Sequence, residues 1–406
     1  MNRDEFVRLL TPEATRLLAE VGRLEAKADV VRLVSRLRAA GHDATLVAAV
    51  LTQAKLRRRA EAKFGEFAQS MLFTEAGLEQ ASRLSVAALH AGRFRSAGVG
   101  RVADLGCGIG AESLAFASLD LQVDAFEIDE VTAAAATYNL APFTSAQVQL
   151  ADVTKLYLDD FEGLFFDPAR RELNGPARAR AVRKFDPSEF SPNFDWVVEQ
   201  AMRHPTGVKL GPGHPHEGIP SSHGVPVEAQ WVSVGGDLVE LALWFGDVAR
   251  ADVRRSALLI DPSGRHHEFT SSLDEQPLAE LGELGQYLHE PDNSIVRSHL
   301  IGPLAEALGL QGFAPGIAYL TSDAPVESPW LRSFAVLDSM PFDRKKLKAY
   351  LRERGIGKLE IKKRGADIVP EQLRKELQLK GEGAATLIVT RVGDAHRAII
   401  AGSTQQ

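Results

Sequence analysis

Cysteine is almost missing from this chain. Cys107 is the only one in 406 residues, which excludes an internal disulfide and any zinc cluster built on cysteines. Long apolar runs are missing too: no stretch approaches the roughly 18 consecutive apolar residues of a bilayer-spanning helix. The start, MNRDEFVRLLTPEA, lacks the basic end, apolar stretch and small-residue cleavage site of a secretory leader. A cytoplasmic protein without membrane contact is expected. Excess positive charge is also absent. With 47 Lys and Arg against 54 Asp and Glu, the net charge is −7, so any nucleic-acid contact must use a local patch and not the field of the whole chain. The rest of the composition, 45% hydrophobic and 25% charged, is that of a globular protein long enough for two or three domains, each with its own core.

The stretch around which the chain is organised runs from Val102 to Asp129, VADLGCGIGAESLAFASLDLQVDAFEID. It reads as strand, glycine loop, helix, strand. Gly106, Gly108 and Gly110 interrupt the apolar run at every second position, and a second strand ends on Glu127. Glycines between a strand and a helix let the backbone turn sharply and bring a ligand against amide groups, and an acid ending the next strand can hold a ribose diol. Both features point to a nucleoside cofactor. The loop also fits the loose dinucleotide fingerprint G-x-G-x-x-G/A, which keeps a nicotinamide enzyme open. Asp104 separates the readings: a carboxylate two residues before the first glycine repels a pyrophosphate and attracts an ammonium group.

DLGCGIG followed by FEID resembles the first two motifs of class I S-adenosylmethionine-dependent methyltransferases. The resemblance implies S-adenosylmethionine as cofactor, with Asp104, Gly106, Gly108 and Gly110 near its amino-acid end and Glu127 on its ribose hydroxyls. In methyltransferases similar to this one an acid after the third strand meets the adenine amino group. Here that acid is Asp152, which could equally cap the next turn.

Gly163 to Arg171, GLFFDPARR, is a buried apolar run that ends in Asp167-Pro168 at the carboxyl end of the sheet, where open α/β folds hold their ligands. Proline removes a donor, so this rim presents acceptors that could orient an amine. The stretch resembles motif IV of methyltransferases acting on exocyclic amines, [DNS]-P-P-[FYW], which implies Asp167 and the Pro168 carbonyl as the catalytic groups. It departs from that motif at Ala169 and Arg170, and the aromatic that would stack a base is missing from it. Arg170 and Arg171 could hold phosphate or carboxylate, or pair with acids. Some uracil-C5 methyltransferases have a similar Asp-Pro-x-Arg stretch. Their chemistry needs a nucleophilic cysteine, whereas Cys107 lies in the cofactor loop, so that mechanism is disfavoured.

Residues 1–95 read as a helical N-terminal domain, with apolar spacing at Phe6, Leu9 and Leu10, at Val31, Leu33, Val34 and Leu37, and from Ala44 to Phe64. Its third helix carries Lys55, Arg57, Arg58, Arg59 and Lys63, either a phosphate contact or a solvated face. Met71 to Phe94 is either a helix closing over the cofactor, as in several RNA methyltransferases that resemble it, or a packing helix. The cofactor-binding domain is expected over 96–260, ending in a hairpin around Gly235-Gly236. His214 and His216 lack further ligands nearby, so a substrate-side loop without a metal is expected. A turn-rich bridge, 261–329, follows.

From 330 to 406 the pattern becomes that of a compact α+β module. Between Arg344 and Arg364 it places ten cations against Glu353 and Glu360, the local patch that composition demanded. Lys345, Lys346, Lys362, Lys363 and Arg364 are the candidate phosphate contacts. This part resembles the THUMP-like domain attached to some bacterial methyltransferases. THUMP domains proper belong to RNA-modifying enzymes, which implies RNA as the partner.

The expected fold is α/β, a Rossmann-like class I methyltransferase sheet with a helical N-terminal domain and a C-terminal α+β THUMP-like domain. The expected function is methylation of a base amine in rRNA or tRNA. Two alternatives remain open: methylation of a small amine or carboxylate held by Arg170 and Arg171, and a non-catalytic protein that binds S-adenosylmethionine and RNA.

Overall fold

The computed structural model describes residues 3–21, 34–170 and 190–403, and only the backbone of Ala169, Arg170 and Ser403. Val31, Leu33 and Arg171 lie outside the described residues. The chain divides into two units. The first is Met1–Leu210 with His214–Val227 and Ala242–Ala251; the second is Gly211–Gly213 with Glu228–Leu241 and Asp252–Gln406. No helix among the described residues is long and apolar enough to cross a membrane.

The first unit opens with helices α1 (Arg3–Leu9), α2 (Pro12–Val21) and α3 (Ala44–Phe64). The Asp43 carboxylate starts α3 by accepting from the amides of Thr45 and Leu46, and Gly65, at φ +55°, stops it. The buried side of α3, Leu46, Val50, Leu51, Ala54 and Phe64, lies in one continuous core with Phe6, Leu9 and Leu17 and with Ile109, Phe116 and Phe165 further along the chain. The N-terminal helices therefore share the core of the sheet that follows.

Between α3 and the sheet, Met71, Leu72 and Phe73 run buried without a strand partner. Two side-chain amides replace the missing ladder. Gln53 accepts from the Phe73 amide at 3.0 Å and donates to the Phe73 carbonyl at 2.7 Å. Asn139 accepts from the Leu72 amide at 2.8 Å and donates to the carbonyls of Leu72 and Ile109 at 3.0 and 2.9 Å. Buried backbone groups left unpaired would cost the full desolvation penalty. Helices α4 (Glu75–Gln80, capped by Thr74) and α5 (Leu84–Ser96) follow.

The sheet and its covering helices then alternate: β1 (Arg101–Leu105), α6 (Ala111–Ser118), β2 (Gln122–Glu127), α7 (Glu130–Leu140), β3 (Ala146–Leu150), β4 (Gly163–Phe166), the short ribbon β5 (Ala169–Arg170) with β6 (Phe190–Ser191), α8 (Phe194–Ala201) and β7 (Thr206–Leu210). The order is β7-β4-β1-β2-β3, all parallel, with β9 (Asp237–Phe245) next to β7. Leu105 is in register with Phe126 and with Phe166, and Glu127 with Leu150. The carboxyl ends are therefore level, and the residues just beyond them share one edge.

In the second unit β8 (Val227–Val234) turns through Gly235 and Gly236, both at positive φ, into β9; β10 (Arg255–Ile260) lies parallel to β8, and β11 (His266–Ser271) antiparallel to β10. A second sheet has the order β13-β14-β12-β15-β18-β17-β16. Its strands are β12 (Tyr287–Pro291), β13 (Gln311–Gly312), β14 (Leu320–Ser322), β15 (Leu331–Pro341), β16 (Ile356–Arg364), β17 (Gly383–Val392) and β18 (Ala395–Ser403). Helices α9 (Asn293–Arg297) and α10 (Ile301–Leu308) lie in the stretch expected as a turn-rich bridge, separated at His299, φ +62°. Helices α11 (Arg344–Glu353) and α12 (Pro370–Leu377) pack Leu347, Leu351, Leu373 and Leu377 on Leu387, Val389 and Ile400. The neighbouring residues Ile388 and Ile399 enter the other core, with Leu288, Tyr319 and Phe334. That alternation explains the unbroken apolar run of β17: both faces are covered.

Replacing Asn139 by Leu is expected to lower stability by about 2–4 kcal/mol in urea unfolding, because it strands the buried amide and carbonyl of Leu72 and the carbonyl of Ile109. A loss below about 1 kcal/mol would mean that these bonds do not hold the segment.

Candidate active site

The carboxyl edge of the first sheet collects Asp104, the glycine loop, Glu127, Asp152, Asp167 and Pro168. Gly106, Gly108 and Gly110 all have positive φ, at +92°, +57° and +87°, where a side chain would be strained. A Cβ at Gly106 would also meet the Asp167 carbonyl at 3.3 Å, so the β1 loop and the end of β4 converge here. Gly110 starts α6 in the left-handed conformation.

Glu127 is oriented by three backbone amides: Gly108 donates to Oε2 at 3.0 Å, and Ile128 and Asp129 donate to Oε1 at 2.8 and 2.9 Å. Asp104 is fully buried. Its Oδ2 accepts from Ser113 Oγ at 2.5 Å, and Oδ1 has no hydrogen-bond partner. Burial pushes its carboxyl up to about 7, the Ser113 hydrogen bond opposes this, and the nearby Glu112 and Asp167 charges add to it. Beside it Glu112 is buried against His90 Nδ1 at 3.1 Å. Burial raises that carboxyl, but the His90 charge and hydrogen bond bring it below the usual range.

Asp152 caps a short turn: Oδ1 accepts from the Thr154 amide at 3.1 Å and hydroxyl at 2.7 Å, and Lys155 lies 3.3 Å from Oδ2. Asp167 is partly exposed, and its Oδ2 lies 2.5 Å from Lys209 Nζ on β7. Pro168 is buried. The backbone of Arg170 pairs with Phe190 in the ribbon, and Phe190 packs on Phe194, which packs on the buried His214. These rings are buried, so they pack the ribbon on the helix that follows it. Among the described residues no group of three or more His, Cys, Asp or Glu could hold a metal.

Sequence reasoning did not single out Lys209 for a role. Its signal was a lone charge in the otherwise apolar strand TGVKL. Its ammonium also donates to the Gln80 carbonyl at 3.0 Å, at the end of α4. Lys63 holds the same helix end, donating to the carbonyls of Leu78, Glu79 and Ala81 at 2.9, 2.8 and 2.7 Å. Burial, and then the Lys209 charge, bring the Lys63 ammonium down to about 8. Of the other α3 cations Arg57 donates to the Met71 carbonyl and Arg59 pairs with Glu75, so at least three of the five serve the fold.

In the second unit the patch from Arg344 to Arg364 splits in the same way. Lys362 bonds Glu290 at 2.6 Å, Lys363 the Ile368 carbonyl at 2.6 Å and Arg364 the Ala318 carbonyl at 2.9 Å. Arg344 pairs with Glu376, and Lys348 donates to the Glu376 carbonyl. Lys345, Lys346, Arg352 and Lys358 are exposed, with no side-chain hydrogen bond or ion pair among the described residues.

The donor set fits S-adenosylmethionine. An unpartnered buried carboxylate oxygen suits an ammonium and opposes a pyrophosphate, and an amide-oriented glutamate beyond the next strand suits a ribose diol. The parallel sheet and its carboxyl edge define a class I methyltransferase. A family model described as THUMP domain-like matches residues 331–403, and one described as a domain of unknown function matches residues 2–60. Two curated proteins of Mycobacterium tuberculosis, from strains CDC 1551 / Oshkosh and ATCC 25618 / H37Rv, each named an uncharacterized S-adenosylmethionine-dependent methyltransferase, are 32% identical to this chain over 345 residues, 83% of this chain and 91% of theirs. The crystal structure of a candidate methyltransferase from Porphyromonas gingivalis W83 shares the fold, with a TM-score of 0.69 over 95% of this chain and 100% of that one at 19% identity. The chain belongs to the S-adenosylmethionine-dependent methyltransferases and carries a C-terminal THUMP-like domain.

The raised Asp104 carboxyl has a signed consequence. The folded state holds this proton more tightly than the unfolded state, whose ordinary value is 3.8, so stability is lost as pH rises from about 4 through about 7. Between about pH 5 and 8 the melting temperature of the ligand-free protein should fall relative to Asp104→Asn. A difference that stays flat across that range would contradict the assignment.

Proposed function

We propose that this enzyme methylates a base nitrogen of RNA, rRNA or tRNA. The observation that carries the reading is the set of exposed cations without a side-chain partner among the described residues, Lys345, Lys346, Arg352 and Lys358, on the THUMP-like domain of a chain whose net charge is −7. Lys345 and Lys346 stand in the first turn of α11, where the helix dipole disfavours a cation until an anion arrives. Phosphate contact is assigned to Lys345 and Lys346. Lys362, Lys363 and Arg364, already bonded to Glu290, the Ile368 carbonyl and the Ala318 carbonyl, hold the strand that also carries Lys358. Arg170 and Arg171, which follow Pro168 in the chain, are assigned to a phosphate of the same RNA.

When bound, S-adenosylmethionine supplies an electrophilic methyl group on a sulfonium sulfur. Asp104 Oδ1 is assigned to its ammonium, Glu127 to its ribose hydroxyls and Asp152 to its adenine amino group, and Gly106, Gly108 and Gly110 leave the space. The protein's remaining task is positioning. Asp167 and the Pro168 carbonyl accept from the N–H of the acceptor amine, which aims its lone pair along the transfer line.

The test is transfer of labelled methyl to total RNA from a strain lacking the gene. Wild type should label RNA, Asp167→Ala should lose on the order of a hundredfold in rate, and the double change Lys345→Glu, Lys346→Glu should weaken RNA binding and flatten its salt dependence by about two in log–log slope. No label in RNA from an enzyme that binds S-adenosylmethionine would overturn RNA as the acceptor.

A further inference from the structure

We propose that Lys209 is a positioning residue, the built-in counterion of Asp167, and that the acceptor subsite thereby selects an uncharged nitrogen over an ammonium group. The inference rests on the reading that Asp167 faces the acceptor. Lys209 lies on a strand whose other four residues are buried, and its side chain is only 12% exposed. Its ammonium is held from two sides, by Asp167 Oδ2 at 2.5 Å and by the Gln80 carbonyl at 3.0 Å. Such a group is fixed in place, unlike the mobile cation of a surface pair.

Two consequences follow for whatever approaches Asp167. The carboxylate is aimed, because its Oδ2 is held against the Lys209 ammonium. It is also already neutralised. An alkylammonium would share one carboxylate with Lys209, within the field of Lys63, and meet like charge at hydrogen-bond distance. A neutral amine meets no such cost and can donate an N–H to the acidic group. The selection matches the chemistry. The acceptor nitrogen's lone pair forms the new bond to carbon, the pair of the breaking carbon–sulfur bond stays on sulfur, and the nitrogen then releases its proton to water. A nitrogen that arrives as an ammonium has no lone pair to use.

The subsite can be read without any acceptor. Sinefungin carries an amine where S-adenosylmethionine carries its sulfonium methyl, and S-adenosylhomocysteine carries neither, so the ratio of their affinities reports whether the subsite accepts an ammonium. Isothermal titration on the full chain should give a ratio within about threefold of one for wild type and for Lys209→Arg. Lys209→Met, which removes this ammonium from beside Asp167, should favour sinefungin by about tenfold. Asp167→Asn, which removes the carboxylate charge beside Lys209, should disfavour it by a similar factor. A shift below twofold in both Lys209→Met and Asp167→Asn would overturn the proposal, and Asp167→Asn alone decides if Lys209→Met fails to fold. The RNA reading fails separately: wild type that puts no label into RNA would leave these ratios, and the place of Lys209, unchanged.

Discussion

A carboxylate buried with one oxygen unpartnered is the constraint on which the catalytic half of this enzyme turns. Asp104 lies on β1, between β2 and β4, with no exposure. Burying an ion there is costly, and Glu112 and Asp167 nearby make it costlier. The neighbourhood is arranged to contain that cost. Ser113 from the first turns of α6 satisfies one oxygen, His90 from α5 takes up Glu112, and Lys209 from β7 takes up Asp167. What is left over is one acceptor, Oδ1, beside a glycine loop. An ammonium group is the ligand chemistry that such an acceptor favours.

The same arrangement explains why the N-terminal helices are part of the enzyme's core. The segment through Leu72 and Phe73 is held by Gln53 of α3 and Asn139 of α7, and Asn139 also holds the Ile109 carbonyl of the cofactor loop. It delivers α4 to that loop, where a side chain at Gly77 would collide with Ile109. Lys63 and Lys209 then take the carbonyls at the end of α4. The helix dipole favours cations at that end, and both lysines are already close to the catalytic edge. A change at α4 is therefore felt at Asp167 through one shared ammonium.

What was legible in the sequence was local. The glycines of DLGCGIG announce a turn that other residues avoid, and the structure places all three at positive φ. FEID and FDPAR end apolar runs, and a level parallel sheet brings such ends together. What was not legible depends on residues far apart in the chain. Lys209 meets Asp167 across 42 positions, and Phe190 stands opposite Arg170 only because a ribbon returns there. Strands β12 to β14 carry no alternating pattern because they are short and partly covered on both faces, and the helical stretch between them is broken by a left-handed His299.

The basic stretch of the THUMP-like domain shows how a count of charges misleads when partners are unknown. Ten cations in sequence suggest one uniform surface, yet at least five of them are already bonded, Arg344, Lys348 and Lys363 within the domain and Lys362 and Arg364 to Glu290 and Ala318 ahead of it. Lys362 also sits 5.6 Å from the centre of the Phe334 ring, and Arg364 4.9 Å from that of Tyr319, so their stems and charges contribute to packing. Each such cation is already neutralised or desolvated, and releasing it to a phosphate would strand its partner. Lys345, Lys346, Arg352 and Lys358 bear no such cost. A polyanion that neutralises them gains the release of counterions without breaking a bond in the fold. The surface available to a polyanion is thus smaller than the sequence suggests.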